Sequence, residues 1–213
     1  VGLHNQGTTC YMNSILQSLF HLPAFRRLVY EMPTTEYEDM DKSIPLNLQK
    51  LFCQMQLSDK SCSTVSLTNS FGWTTAETFM QHDVVEFLRV LIDNLETKMK
   101  GTNLEKSIPM LLKGQFRSYI KCKHVNYQTS HIEDFYDLSM SITNLKNLDE
   151  SFRNYIQPDE LVGKNQYKTD DFGLQDAIMG TEFLSFPPVL HIQLRRFMFG
   201  PNGLFKVNDH FEF

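Results

Sequence analysis

Apolar residues recur at helical spacing through the first hundred positions of the chain. The clearest case is the segment 83–101, DVVEFLRVLIDNLETKMKG, in which one apolar stripe repeats every three or four residues until Gly101. The stripe consists of Phe87, Leu88, Leu91, Ile92, Leu95 and Met99. The segment 45–58, PLNLQKLFCQMQLS, opens with a proline and repeats the pattern at Leu48, Leu51, Phe52 and Met55. Both segments are therefore predicted helices.

From about residue 109 the pattern changes to short runs, aromatic or β-branched, that are bounded by Gly, Pro, Asn or Asp. Runs of this kind are typical of strands. The strand predictions lie within 113–125, 133–142 and 187–199. Between them, 147–156 predicts a short helix, and the polar segment 163–173 predicts a loop or hairpin tip. Helices first and strands later favour an α+β fold, which we divide into a helical part, 1–108, and a β-rich part, 109–213.

Composition and charge narrow the class of protein. The 213 residues are 41% hydrophobic and 12% aromatic, as expected for a globular chain with a sizeable core. The net charge of −5 argues against nucleic acid as a partner. No apolar run reaches membrane-spanning length and no signal-peptide pattern opens the chain, so no membrane partner is expected. The cysteines are too few and irregular for a disulfide scaffold, which indicates an intracellular protein of the nucleus or cytoplasm with free thiols.

Cys10 is the first candidate for chemistry, with a buried structural cysteine as the alternative. At 100° per residue, its neighbours Tyr11, Met12, Ile15, Leu16 and Leu19 form one apolar face, and Cys10 falls on the opposite side. Thr8 and Thr9 are suitable N-cap residues, which places Cys10 in the first turn of a helix. Unpaired N–H groups and the helix dipole there favour a thiolate, the reactive form.

Asn5, five residues upstream, could assist such a nucleophile. Acyl transfer through a thiolate needs donors aimed at the developing oxyanion, and the Asn5 amide with the Cys10 N–H would supply two. Gly2 and Gly7 allow the backbone to bend close to a substrate. On spacing alone, an ordinary turn residue remains the stronger interpretation of Asn5, and the nucleophile stays open.

Three segments together resemble the ubiquitin-specific protease family. The family's cysteine box resembles the segment GLHNQGTTCYMNSILQSL, and its second box resembles SFGWTTAETFMQHDVVEFLRVLIDNLETKMKGT. A family strand named for leucine, arginine and phenylalanine resembles FLSFPPVLHIQLRRFMF. The resemblance implies a papain-like fold of thumb, palm and fingers, with 1–108 as the thumb and 109–213 as the fingers and an incomplete palm. It further implies a thiol-dependent deubiquitinase that cleaves after ubiquitin's terminal glycine through a thioester, without a cofactor. Ubiquitin and ubiquitinated proteins would be the partners.

The resemblance also implies roles for individual residues. Cys10 would be the nucleophile and Asn5 an oxyanion-hole donor. The remaining candidates would bind the arginine-bearing tail of ubiquitin, and they are Gln81, Asp83, Glu86 and Phe197. For Asp83 and Glu86 the alternative is a solvated helix face that compensates the helix dipole, and for Phe197 it is a core position.

Two positions differ from the family pattern, and the single tryptophan also allows a prediction. Val85 stands where the family usually has glutamine, and Phe199 stands where a close relative has tyrosine, which puts one polar contact at each position in doubt. Trp73, the only tryptophan, is interpreted as a core anchor.

No metal is expected. Many members of the family carry two C-x-x-C pairs in the fingers, and this chain has none. Cys122 and His124 offer two ligands at most, whereas a structural zinc site needs four.

None of the motifs described above contains a histidine that could serve as the general base for Cys10. The chain has seven histidines, and none stands in the Gly-His-Tyr context that the family uses. Either the chain is the N-terminal part of an active enzyme, or it belongs to a non-catalytic ubiquitin-binding module or an interaction scaffold. Because the sequence ends within an apparent strand, KVNDHFEF, we favour the first and expect the 213 residues alone to be inactive.

Overall fold

A computed structural model describes residues 1–35, 37–39, 41–72, 83–201 and 203–213. The chain divides into two compact units, Val1–Leu111 and Leu112–Phe213. The first unit is helical and the second is dominated by strands, so the α+β class is confirmed. Among the described residues, none of the helices combines the length and apolar content needed to cross a membrane.

The first unit is built from helices joined by short loops. They are α1 (Cys10–Phe20), α2 (Pro23–Glu31), α3 (Ile44–Leu57), α4 (Val65–Ser70), α5 (Val84–Met99) and α6 (Ser107–Leu112). The two helices predicted most strongly from periodicity are confirmed as α3 and α5, and each starts one residue away from its predicted position. Gly101 follows α5 with a φ of 76°, the left-handed conformation that ends a helix.

Aromatic rings fill the core of the first unit. The Phe52 ring of α3 lies edge-on to the ring of Phe20, with centroids 5.3 Å apart, and also contacts Phe25. The apolar stripe of α5 is buried throughout, and its Phe87 packs against Phe71 and Tyr11. The contact between Tyr11 and Phe87 holds the start of α5 beside the start of α1.

Glu38 ties the loop before α3 to the end of α5. Its carboxylate accepts hydrogen bonds from the ammonium of Lys98 at 2.6 Å, the hydroxyl of Ser43 at 2.6 Å and the backbone N–H of Thr35 at 3.0 Å. Partial burial raises the pKa of this carboxyl, but the three hydrogen bonds outweigh burial and hold the pKa below its ordinary value. The folded state therefore favours the ionised carboxylate.

Replacing Glu38 by glutamine is expected to lower the free energy of unfolding by about 1–3 kcal/mol at pH 7, because Lys98 loses its charged partner. A depressed carboxyl pKa adds stability above the unfolded-state value, so the difference from wild type shrinks as the pH falls below about 4.5. Urea unfolding of the full-length protein at several pH values measures this. The control is Glu31→Gln, which breaks an exposed pair with Arg27 and should change stability by less than about 1 kcal/mol. Equal effects of the two variants at pH 7 would contradict the assignment.

The described strands of the second unit form four separate sheets. A four-stranded antiparallel sheet has the order β2-β1-β7-β4, β3 pairs with β8 in parallel, and β5–β6 and β9–β10 are antiparallel hairpins. The strands are β1 (Gly114–Cys122), β2 (Gln128–Phe135), β3 (Asp137–Met140), β4 (Asp159–Leu161), β5 (Tyr167–Thr169), β6 (Gly173–Gln175), β7 (Ala177–Ser185), β8 (His191–Leu194), β9 (Phe197–Gly200) and β10 (Gly203–Lys206). The helix α7 (Leu148–Ile156) begins after Asn147, whose side chain caps it.

Two of the three strand predictions had the wrong extent. The run 133–142 is not one strand, because β2 ends at Phe135 and β3 starts at Asp137 in a different sheet. The run 187–199 is likewise divided between β8 and β9, since the N–H of Arg196 donates to the carbonyl of Leu194 in a tight turn between the two strands. The prediction within 113–125 is confirmed as β1, and the turn between β5 and β6 lies within 163–173 as expected.

Candidate active site

Cys10 is the first residue of α1, and its side chain is exposed. Met12, Leu16 and Leu19 of the same helix are buried, so the apolar face predicted from the sequence is confirmed. The alternative interpretation of Cys10 as a core cysteine is wrong. The structure thus places an accessible thiol at the helix N-terminus, where backbone N–H groups lack intrahelical partners.

Thr9 occupies the N-cap position of α1, but its side chain does not cap the helix. Its hydroxyl accepts a hydrogen bond from the backbone N–H of Gln6 at 3.0 Å and donates to Oδ1 of Asn5 at 3.1 Å. Thr9 is fully buried, whereas Asn5 is exposed. The exposed side chain of Asn5 is therefore held by the buried hydroxyl of Thr9, the residue directly before Cys10.

The loop before Cys10, residues 1–9, is fixed on both sides. On one side, Leu3 forms a parallel bridge with Cys62, whose backbone exchanges hydrogen bonds with His4 and Gly2. On the other, Asn13 of α1 donates from Nδ2 to the carbonyl of His4 at 3.1 Å. Neither set of contacts uses the Asn5 side chain, so the loop has anchors other than Asn5.

Gln6 and Gly7 shape the turn of this loop. Gln6 donates from Nε2 to the hydroxyl of Thr64 at 2.6 Å and accepts from Thr68 at 3.4 Å. Gly7 has a φ of 117°, which L-residues rarely adopt, so the turn requires glycine at this position. The sequence did not single out Gln6 or Thr64, because their partners lie about sixty positions away.

Asp83 and Glu86 lie at the start of α5 and are both exposed. Asp83 is the N-cap residue, and its Oδ1 accepts from the N–H of Val85 at 2.7 Å. Glu86 is close enough to α1 for its charge to act on Tyr11. The pKa of the Tyr11 phenol is raised mainly by burial, and to a smaller extent by the charges of Cys10 and Glu86. The acidic start of α5 therefore lies in the neighbourhood of Cys10.

Gln81 and Trp73 lie outside the described residues. Their assignments, as a tail contact and a core anchor, stay predictions.

Phe197 lies in the second unit, on the β9–β10 hairpin, and is 63% exposed. The alternative of a core aromatic is therefore wrong for this position. Phe199, two residues along the same strand, is 86% exposed and lies on the same face of the hairpin. The hairpin thus presents aromatic rings to solvent, and the binding role of Phe197 stays a prediction.

No histidine among the described residues forms a hydrogen bond with Cys10. The ring of His4 contacts the hydroxyl of Ser61 instead. His191 is half-buried in β8, where burial lowers its pKa and a hydrogen bond with the Tyr136 backbone partly opposes this. The described contact of the His4 ring is therefore with Ser61 and not with Cys10.

No group of three or more metal-ligating side chains occurs within the part of the chain that the structure describes. Cys122 is buried, and the His124 imidazole lies 3.6 Å from the carboxylate of Asp176. The expectation of no zinc is therefore left for elemental analysis of the purified protein.

The chain is similar to one family and to several curated proteins. A family model described as ubiquitin carboxyl-terminal hydrolase matches residues 1–213. Over the whole chain, the sequence is 53% identical to Ubiquitin carboxyl-terminal hydrolase 15 of Saccharomyces cerevisiae, 52% identical to Ubiquitin carboxyl-terminal hydrolase 7 of Drosophila melanogaster and 49% identical to Ubiquitin C-terminal hydrolase 12 of Arabidopsis thaliana. The chain spans 17% to 19% of the length of these relatives.

Proposed function

Because the chain belongs to the ubiquitin carboxyl-terminal hydrolase family, we propose that the full-length protein is a thiol-dependent deubiquitinase. The observation that carries this proposal is the exposed Cys10 at the first position of α1, with Asn5 held beside it by Thr9. The mixed helical and β architecture fits the papain-like fold of this family. We further propose that the first unit corresponds to the thumb, and the second to the fingers and part of the palm.

The proposed reaction has two steps. The Cys10 thiolate attacks the carbonyl carbon of ubiquitin's terminal glycine, and the resulting oxyanion is stabilised by the Asn5 amide and the Cys10 N–H. Collapse breaks the C–N bond, the amine leaves with the proton that the general base took from the Cys10 thiol, and a ubiquitinyl thioester remains. Water then attacks the thioester and releases ubiquitin with a free carboxylate. The proposal assigns the general base to a histidine elsewhere in the full-length protein, since the described histidines do not contact Cys10.

The acidic residues at the start of α5 are proposed to bind the arginine-bearing tail of ubiquitin. Glu86 is exposed and near Cys10, and a carboxylate pairs with a guanidinium through two parallel hydrogen bonds. Asp83 uses one oxygen for helix capping and keeps the other for a ligand. Gln81 and Phe197 are proposed as further contacts to the tail and its two-glycine end.

Replacing Glu86 by glutamine is expected to raise KM for a ubiquitin substrate about tenfold and to change kcat little, because a charge-assisted hydrogen bond is lost on binding. Steady-state kinetics of the full-length protein measure both constants. The matched control is Asp93→Asn, which removes the same charge from the same face of α5 about 10 Å further along the helix. A second substrate, ubiquitin with glutamine in place of its tail arginines, completes the test. For this substrate KM should be the same for the Glu86→Gln variant and for the wild-type protein. An equal rise in KM for both substrates would contradict the assignment.

Finer assignments also rest on resemblance. We propose that the protein is of the herpesvirus-associated type within the family, and that it acts inside the cell, in the nucleus or cytoplasm. Ubiquitin and ubiquitinated proteins are the proposed partners.

The proposal is tested by incubating the full-length protein with ubiquitin whose C-terminus carries a fluorogenic amide. Release of the fluorophore with multiple turnovers is expected. Binding of ubiquitin without any release would support the non-catalytic module instead, and the absence of binding would support an interaction scaffold.

A further inference from the structure

Thr9 has an unusual use for a residue at the N-terminus of a helix. A threonine at the N-cap normally accepts a hydrogen bond from an N–H group of the first turn. Here the side chain of Thr9 makes no such bond. Both hydrogen-bonding functions of its hydroxyl are directed into the preceding loop, toward the Gln6 N–H and the Asn5 side chain.

The hydroxyl of Thr9 determines which end of the Asn5 amide faces it. A hydroxyl has one hydrogen to donate, and Thr9 is completely buried, so leaving that hydrogen without an acceptor would be costly. Oδ1 of Asn5 is its acceptor at 3.1 Å. A flipped amide would present two donors to this hydroxyl, which already accepts from Gln6 at 3.0 Å. The favourable orientation therefore keeps Oδ1 on Thr9 and leaves the Nδ2 donors for another acceptor.

We propose that Thr9 is a positioning residue for the oxyanion hole. Its hydroxyl fixes the Asn5 amide so that Nδ2 serves as a donor to the oxyanion. The same hydroxyl makes no capping bond to the first turn of α1, so both of its hydrogen bonds are used within the preceding loop. This inference rests on the proposed function, and Thr9 acts only through Asn5 and the backbone, without touching substrate.

A double-mutant cycle in the full-length protein tests the coupling between Thr9 and Asn5. In the wild-type background, Thr9→Val should lower kcat by about tenfold to a hundredfold with KM little changed, because a misoriented Asn5 loses part of the effect of an oxyanion donor. In an Asn5→Ala background, the same change should lower kcat by less than about threefold, since there is no amide left to orient.

The matched control is Thr64→Val. Thr64 is also completely buried and also holds Gln6, by accepting from its Nε2, but it does not contact Asn5. Its loss weakens the loop without affecting the amide, so its effect should be the same factor in both backgrounds. A cycle in which Thr9→Val also costs the same factor in both backgrounds would show that Thr9 only braces the loop, and the inference would be wrong.

A second pair of variants covers the case in which valine disturbs the loop. Thr9→Ser keeps the hydroxyl and should retain kcat within about threefold of wild type, whereas Thr9→Ala should behave like Thr9→Val. A serine variant as impaired as the alanine variant would overturn the inference. Failure of the proposed function is a separate result, because it would appear as a wild-type protein without turnover, or as an Asn5→Ala variant with unchanged kcat.

Discussion

Replacing Cys10 by serine is expected to reduce hydrolysis of a ubiquitin amide by about 10⁴-fold or more, while ubiquitin still binds. The serine hydroxyl occupies the same place at the start of α1, but it is far less ionised and less nucleophilic than a thiol. The loss should lie in kcat, because the Cys10 side chain is exposed and its replacement by serine should leave the packing of the first unit intact. Steady-state kinetics and a separate titration with ubiquitin measure the two effects in the full-length protein.

The control for this variant is Cys53→Ser. Cys53 is the other exposed cysteine of the chain, and it lies in the middle of α3. Its replacement should leave activity unchanged, because it lies away from a helix start and from the loop of Asn5. Turnover by the Cys10→Ser variant at a rate near that of wild type would mean that another residue is the nucleophile.

Replacing Asn5 by alanine is expected to lower kcat by about 10²–10³-fold with little change in KM, the loss typical for one oxyanion-hole donor. The loop should keep its conformation, because its backbone is held by Cys62 and by Asn13. Asn5→Asp should be at least as damaging, since a carboxylate cannot donate and would repel the oxyanion. Kinetics on the ubiquitin amide separate kcat from KM.

The control for Asn5 is Gln17→Ala, which removes a side-chain hydrogen bond to the carbonyl of Val1 in the same loop. Its loss of activity should remain well below that of Asn5→Ala. A rise in KM with unchanged kcat in the Asn5→Ala variant would assign Asn5 to ground-state binding and remove it from the oxyanion hole.

The sequence predicted the frame of the candidate site because that frame is local. The faces of α1 and α5 follow from periodicity, and a helix start is signalled by threonine or aspartate within a few residues. Asp83 is an aspartate of this kind, and its side chain caps α5. Cys10 could therefore be placed at an exposed helix start without any tertiary information.

The supporting contacts could not be predicted, because they are not local. A threonine before a helix predicts capping, yet Thr9 turns to Asn5 and Gln6, since the loop is folded back by its pairing with Cys62. Gln6 finds Thr64 fifty-eight positions away. Local propensity contains no information about such partners.

The strands were harder for a related reason. Asp137 follows Phe135 after a single residue, and nothing in EDFYDLSM marks a change of sheet. The change is decided by β8, which arrives more than fifty positions later and pairs with β3 in parallel. The exposure of Phe197 was also undecided, because an aromatic in a short strand suits a core and a binding surface equally well.

The most direct test of the account is labelling of the full-length protein with ubiquitin that carries an electrophile at its C-terminus. Peptide mapping by mass spectrometry then identifies the modified residue. The account predicts a single adduct on Cys10 and none on Cys53, which is also exposed, because only Cys10 combines a helix start with the Asn5 loop. An adduct on Cys53, or no adduct on a protein that binds ubiquitin, would contradict the assignment of Cys10 as the nucleophile.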